Sequence, residues 1–337
     1  MNAIPGFSFL VVLLFLLLPS SLDAAGCNLD DKRVLLRIKK ALNNPYHLAS
    51  WNPNTDCCDW YALECDEVSN RTVSLTIFSG QISGQIPPAV GDLPYLQTLV
   101  FRKLSNLSGE IPPSITKLKN LRTLRLSWTN LSGSVPSFLS QLQNLEFLDL
   151  SFNNLSGSIP PSLAGLTNLL ALHLDRNRLT GEIPESFGKF QGSIPELYLS
   201  HNQLGGKIPE SLGDLDFRVL DFSRNRLIGD ALMLFKSPAK SADGIRIDLS
   251  RNLLEFDLSN AKFPLNLTAL DISHNKISGK IPAQITELKK GLQSFNASYN
   301  RLCGEIPKGG NLQSFDYSSF FHNRCLCGAP LENECKQ

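Results

Sequence analysis

The chain has 337 residues, and its 32 Lys plus Arg are balanced by 31 Asp plus Glu. That balance argues against nucleic acid and against a mainly electrostatic membrane contact, because both select strongly basic proteins. The length exceeds what one ordinary compact core fills and suits an elongated array of repeats.

At the N-terminus, FSFLVVLLFLLLP runs uncharged from Phe7 to Pro19, and SSLDAAG follows with small residues near Ala24. Its length and the small residues after it predict a secretory signal peptide over residues 1–24 rather than a membrane span; no Lys or Arg precedes it, which leaves a signal anchor as the alternative. No later stretch could cross a bilayer, so a soluble, secreted product is expected. Residues 25–70 form an N-terminal cap. DDKRVLLRIKKAL, from Asp30, places Val34, Leu35, Ile38 and Leu42 on one side of an amphipathic helix. Trp51 and Trp60 flank Cys57 and Cys58 and are expected to fill the cap core.

Residues 71–302 repeat. LRLSWTNLSGSVP begins at Leu124, LDLSFNNLSGSIP at Leu148 and LHLDRNRLTGEIP at Leu172, 24 residues apart. The G-x-I-P step, with two weaker copies from Leu220 and Ile247, gives ten units of 23 to 27 residues; GSIP at Gly192 lacks the preceding L-x-L and is not counted. A period of this size with L-x-x-L-x-L-x-x-N-x-L is the leucine-rich repeat. L-x-L is a short strand with one buried face, so Leu148 and Leu150 point inward and Asp149 outward. Asn153, Asn177, Asn202, Asn225, Asn252, Asn275 and Asn300 turn the chain out of successive strands and are expected to stack as a ladder. The segment after each Ile-Pro predicts a turn of 3₁₀ or α-helix on the convex side. The fold class is therefore an α/β solenoid with a parallel sheet on its concave face.

Residues 303–337 form a C-terminal cap. All eight cysteines lie in the two ends: Cys27, Cys57, Cys58 and Cys65, then Cys303, Cys325, Cys327 and Cys335. An even count in an oxidising compartment predicts disulfides, and the C-x₂-C spacing of a zinc site is missing. Joining nearest cysteines, Cys27 to Cys57, Cys58 to Cys65, Cys303 to Cys325 and Cys327 to Cys335, is most economical. The sequence leaves other connectivities open.

Packing fixes the framework, so function is expected in the outward residues. The middle residue of L-x-L reads Thr76, Val100, Arg125, Asp149, His173, Tyr198, Asp221, Asp248, Asp271, Asn296. The residue before the ladder Asn, or its aligned position, adds Trp128, Phe152, Arg176, His201, Arg224, Arg251, His274 and Tyr299, rich in the aromatic and Arg residues of interface hot spots. Asp149, Asp221, Asp248 and Asp271 predict an acidic stripe from which folding gains nothing, since like charges in register repel. Six sequons stand at Asn70, Asn106, Asn130, Asn154, Asn266 and Asn296. Asn296 is itself outward, and a glycan there would cover the C-terminal end of the concave face. The five scattered His and the absence of H-E-x-x-H, P-loop and G-x-S-x-G motifs point away from an enzyme; no cofactor or metal is expected. An ice-binding face should be flat and regular, whereas this list is irregular and partly charged, which suits a protein partner better. A receptor ectodomain would need a membrane helix beyond Gln337, leaving a soluble receptor-associated module as a further alternative.

CNLDDKRVLLRIKKALNNP with SWNPNTDCCDWYALEC, and YNRLCGEIPKGGNLQSFDYSSFFHNRCLCGAPL at the other end, resemble the caps of the plant polygalacturonase-inhibiting proteins. The likeness spans essentially the whole mature chain. It implies a right-handed, monomeric solenoid in the plant cell wall that binds fungal endo-polygalacturonases, with insect enzymes and pectin as further candidate partners. Binding would slow pectin breakdown and favour longer oligogalacturonides, which act as defence elicitors. Many members of that family are basic whereas this chain is nearly neutral, and a plant antifreeze protein shares the scaffold.

Overall fold

A computed structural model describes residues 26–236 and 244–335; the signal-peptide segment lies outside the described residues. The N-terminal helix α1 spans Leu29–Ala41. Asn28 caps it, its Oδ1 accepting from the backbone N–H of Asp30 at 2.9 Å and of Asp31 at 3.3 Å. Val34, Leu35, Ile38 and Leu42 are buried along its inner stripe, as the periodicity requires. Trp51 and Trp60 are buried and stacked, their ring centroids 5.7 Å apart. Each indole N–H finds an acceptor, Trp51 the carbonyl of Tyr61 and Trp60 the hydroxyl of Thr55, both at 2.8 Å. The buried carboxylate of Asp31 takes both Arg71 Nε and Nη2 at 2.9 and 2.7 Å and the Thr72 N–H at 2.9 Å, tying α1 to the first repeat.

Ten parallel strands follow, from Thr72–Phe78 to Ser294–Asn296, in one sheet whose order follows the chain. Their outward residues pair in unbroken register: Thr76, Val100, Arg125, Asp149, His173, Tyr198, Asp221, Asp248, Asp271, Asn296. The flanking leucines are buried between neighbouring units. Leu63–Cys65 runs antiparallel to the first repeat strand and covers that edge. At the far edge Arg301–Glu305 pairs with Cys325–Cys327, with Cys303 opposite Cys325. All four disulfides join the nearest cysteines, as expected: Cys27–Cys57, Cys58–Cys65, Cys303–Cys325 and Cys327–Cys335.

The asparagine ladder forms and has a consistent geometry. Asn177 Oδ1 accepts the Leu155 N–H of the preceding unit, while its Nδ2 donates to the carbonyls of Leu150, Leu174 and Asp175. In the second and third units, which lack the asparagine, the strand runs on through the turn. Leu104 and Thr129 occupy the ladder position of the second and third strands, which run on as Thr98–Gly109 and Thr123–Leu131, whereas Phe147–Asp149 and Ala171–His173 end at three residues. One member went unnoticed in the sequence: Asn323, in the C-terminal cap, accepts from Leu302 N–H and donates to the Ala297 and Phe320 carbonyls. A second asparagine row stands at the strand entrances, where Asn120, Asn144 and Asn168 donate to the carbonyls of Pro94, Lys119 and Gln143 in the preceding unit. The segments after Ile-Pro are 3₁₀ turns, for example Pro113–Lys117 and Pro161–Gly165. Gly157 makes the bend before one of them at φ +76°, a region that suits glycine.

Candidate protein-binding face

The residue before each ladder asparagine is left-handed. Lys103, Trp128, Phe152, Arg176, His201, Arg224, Arg251, His274, Tyr299 and His322 all have φ between +53° and +56°. Each unit thus turns its chain out of the sheet at the same place, and the backbone N–H bonds the next unit, as Arg176 does to the Ser200 carbonyl at 2.8 Å and Arg224 to Ser250 at 2.8 Å. Left-handed backbone is strained for β-branched side chains, and the column contains no Val, Ile or Thr. Its richness in Arg and aromatic residues therefore has a conformational cause beside any role in binding.

Two ladders of rings and guanidinium groups cross the N-terminal half of the face. Trp128, 44% exposed, stacks on Phe152 at 3.7 Å, and the Arg176 guanidinium lies 4.8 Å from the Phe152 ring centre. Alongside, Arg125 lies 5.2 Å from Phe147, Phe147 tilts on His173 at 5.2 Å, and His173 stacks on Tyr198 at 4.1 Å. Stacking keeps these large side chains extended toward solvent with little freedom left to lose on binding.

Three expectations need correction. Asp149 stands in the outward slot but is only 3% exposed, because Arg125 Nε holds its Oδ2 at 2.7 Å and Ser151 N–H and Oγ hold Oδ1 at 2.9 and 2.6 Å. It cannot meet a partner directly. Second, the acidic stripe does serve folding. Asp221, Asp248 and Asp271 each accept the N–H of the serine two residues on, at 3.1, 2.9 and 2.9 Å, and so cap the turn. Asn296 caps Ser298 in the same way at 3.1 Å. Third, Asn266 is buried, only 8% of the residue being exposed, so the fold leaves no exit for a glycan at that sequon. Asn106 and Asn130 are exposed, and Asn70, Asn154 and Asn296 half-buried.

The structure gathers Tyr198, Asp221, Asp248 and Asp271 around a shallow hollow of about 340 Å³ with Arg246 on its wall. Arg246 belongs to a third outward column that the sequence reading passed over. It stands one alternation before the L-x-L middle residue and includes Thr98, Thr123, Phe147, Ala171, Glu196 and Arg246. Period-two alternation alone would have found it. Glu196 bonds the Tyr198 hydroxyl at 3.2 Å, and burial, then the Glu196 charge, pushes that phenol up to about 12. Val100, His201 and His274 face the same side and are half-buried; burial, then neighbouring Arg residues, holds both imidazoles below the usual histidine range.

Asp248, at the centre of the hollow, is pushed up to about 6, first by burial and then by the charges of Asp271 and Asp221 against the Ser250 hydrogen bonds. A carboxyl raised in the folded state favours folding below its unfolded value and loses that advantage as pH rises through about 6. Between pH 4 and pH 7 the wild type should lose up to roughly 3 kcal/mol from this group. Asp248→Asn retains an Oδ1 cap, as Asn296 does, and should flatten that stretch of the stability curve. Urea unfolding at pH 4.5 and 7 reads the difference; an equal slope in both proteins refutes the assignment.

The comparisons with known proteins agree with this architecture. A family profile described as the leucine rich repeat N-terminal domain matches residues 28–66, and leucine rich repeat profiles match 119–179, 193–215 and 266–288. Polygalacturonase inhibitor 1 of Arabidopsis thaliana is 66% identical over 324 residues, covering 96% of this chain and 97% of that protein. The polygalacturonase inhibitor of Vitis vinifera is 65% identical, covering 98% and 97%. Among solved structures, a plant ice-binding protein superposes with a TM-score of 0.87 at 55% identity, covering 92% of this chain and 98% of that one. No helix among the described residues is long and apolar enough to cross a membrane.

Proposed function

We infer, from the premise that this chain belongs to the polygalacturonase-inhibitor family of leucine-rich-repeat proteins, that it is secreted to the plant cell wall and there binds and inhibits endo-polygalacturonases of fungi, and also of insects, as a monomer. It limits pectin degradation as a binding protein and carries out no chemistry of its own. The observation that supports this most is the concave face itself: outward columns in continuous register that change residue type from unit to unit, with ring ladders over the N-terminal half and an acidic hollow that adjoins them at Tyr198. A pectin-cleaving enzyme takes a polyanion, so its cleft should be positive and complement the hollow. Trp128, Phe152, Arg176, Tyr198 and Arg224 would supply the remaining contacts, with cell-wall pectin as a second binding candidate for the arginines.

The test is inhibition and surface plasmon resonance against a panel of polygalacturonases. Asp221→Asn with Asp248→Asn keeps both caps and removes both charges. Association with a responsive enzyme should slow by about tenfold at low ionic strength and lose much of its salt dependence. An unchanged association rate removes the hollow as the recognition element. The ice-binding relative makes a second reading worth one assay: thermal hysteresis without inhibition of any enzyme in the panel would establish it instead. The irregular, partly charged outward columns weigh against it.

A further inference from the structure

The six sequons differ in what folding does to the hydroxyl at their third position. Ser132 and Ser156, which complete the Asn130 and Asn154 sequons, are exposed. Ser298, which completes Asn296-Ala297-Ser298, is buried, and its Oγ donates to Asn296 Oδ1 at 2.8 Å. Its backbone is held as well: the carbonyl accepts from His274 N–H at 3.0 Å and from Asn300 Nδ2 at 3.2 Å. An enzyme that must reach both the amide and the hydroxyl has no access to the second once the repeat has closed. The amide itself is half-buried and faces the concave side, its Nδ2 3.4 Å from Asp271 Oδ2.

Beyond Asn296 lies an aromatic cluster. Tyr299 stacks on His274 at 4.1 Å and on His322 at 4.4 Å, and Phe321 meets Tyr299 edge-on at 5.1 Å and Tyr317 at 6.1 Å. Asn296 stands between this cluster and the acidic hollow.

We propose that Asn296 is an N-glycosylation site filled only before the last repeat closes, and that its glycan masks the C-terminal end of the concave face. In the transfer, Asn296 Nδ2 attacks the anomeric carbon of a lipid diphosphate-linked oligosaccharide. The N–C bond forms, the carbon–oxygen bond to diphosphate breaks, the lipid diphosphate leaves and the amide loses one proton. The product keeps Oδ1 and one N–H, so the Ser298 cap survives and the glycosylated chain still folds. Occupancy is then permanent, dividing the protein into open and masked forms. That the masked form binds a polygalacturonase more weakly rests on the function proposed above.

Two measurements need no partner. Unglycosylated full-length protein, offered to microsomal oligosaccharyltransferase with its lipid donor, should accept glycan at Asn296 when reduced and unfolded, and none there when folded. Transfer to Asn296 in the folded protein overturns the timing, and no transfer in either state overturns the site. Protein secreted from a glycosylating host should carry Asn296 glycan by peptide mapping, and zero occupancy also overturns the site. In that glycoform, radical labelling of Tyr299 and Tyr317 should fall several-fold relative to Asn296→Asp, which retains the cap without the acceptor; equal labelling overturns the masking. Binding to a responsive polygalacturonase should be at least tenfold weaker for the glycoform, and equal binding again overturns masking. If neither form binds any polygalacturonase while labelling still differs, the proposed function fails and the modification site stands.

Discussion

Full reduction of the four disulfides should lower the melting temperature by more than about 10 °C, with unfolding starting from the ends. In a solenoid each unit is covered by its neighbours, so the terminal units hold the least stability of their own. Cys27–Cys57 closes 30 residues and Cys303–Cys325 closes 22, and loop-closure entropy assigns each about 3–4 kcal/mol. The shorter Cys58–Cys65 and Cys327–Cys335 loops add about 2 kcal/mol each. At roughly 2–4 °C per kcal/mol for a domain of a few hundred residues, the loss is easily measured. Trp51 and Trp60, stacked beside Cys57, give a fluorescence reporter for the N-terminal end. Circular dichroism melts with and without reductant, with free thiols counted, decide the matter. An unchanged melting temperature at eight free thiols per chain would show that the caps hold without their covalent links.

Asn225→Ala should cost about 3 kcal/mol, well above the roughly 1 kcal/mol of a typical point substitution. Asn225 Oδ1 accepts the Leu204 N–H at 3.0 Å, and Nδ2 donates to the Leu199, Phe222 and Ser223 carbonyls at 3.0, 3.1 and 3.2 Å. The side chain is buried, so the alanine variant strands these backbone groups away from water, at about 1–3 kcal/mol for each that stays unsatisfied. Asn225→Asp keeps the acceptor but turns a second oxygen on three carbonyls, and should do no better than alanine. Hydrogen exchange at the Leu204 amide should accelerate while α1 stays protected. A loss below 1 kcal/mol in urea unfolding would show that water or the neighbouring asparagines replace the ladder bond.

Both effects were visible in outline before any coordinates, because they depend on residues that recur at fixed spacing. The outward slot could be read through ten units since strand alternation and a near-constant period leave one solution, and the register from Thr76 to Asn296 follows it. What escaped the sequence depends on which side chain reaches which neighbour. Nothing in the near-identical spellings L-D-L-S and L-D-F-S distinguishes Asp149, closed over by Arg125, from Asp221, which borders the hollow. The same letters hid the turn-capping role, which requires the aspartate and the serine N–H to meet in space. Arg246 and Phe147 lie one alternation before the L-x-L letters, where the repeat spelling fixes no residue type and only strand periodicity marks them as outward. Asn266 is buried at the start of a strand that is longer than its neighbours, Leu267–Asp271, where its carbonyl accepts the Ile245 N–H at 2.9 Å and the Thr268 hydroxyl bonds the Ile245 carbonyl at 3.1 Å.

The left-handed turn column has a consequence for how such a protein can acquire new targets. Each position there sits at φ near +54° whatever side chain it carries. Variation at Trp128, Phe152, Arg176, His201, Arg224, Arg251, His274 and Tyr299 is therefore drawn from a restricted alphabet, with Val, Ile and Thr barred by the backbone and Asn, Arg, His and the aromatics admitted. The strand column beside it has no such bar, as Thr76 and Val100 attest. A library built to retarget the face can omit β-branched codons from one column and retain them in the other. Fewer of its members will misfold, and diversity concentrates on the long, reaching side chains that an enzyme surface can meet.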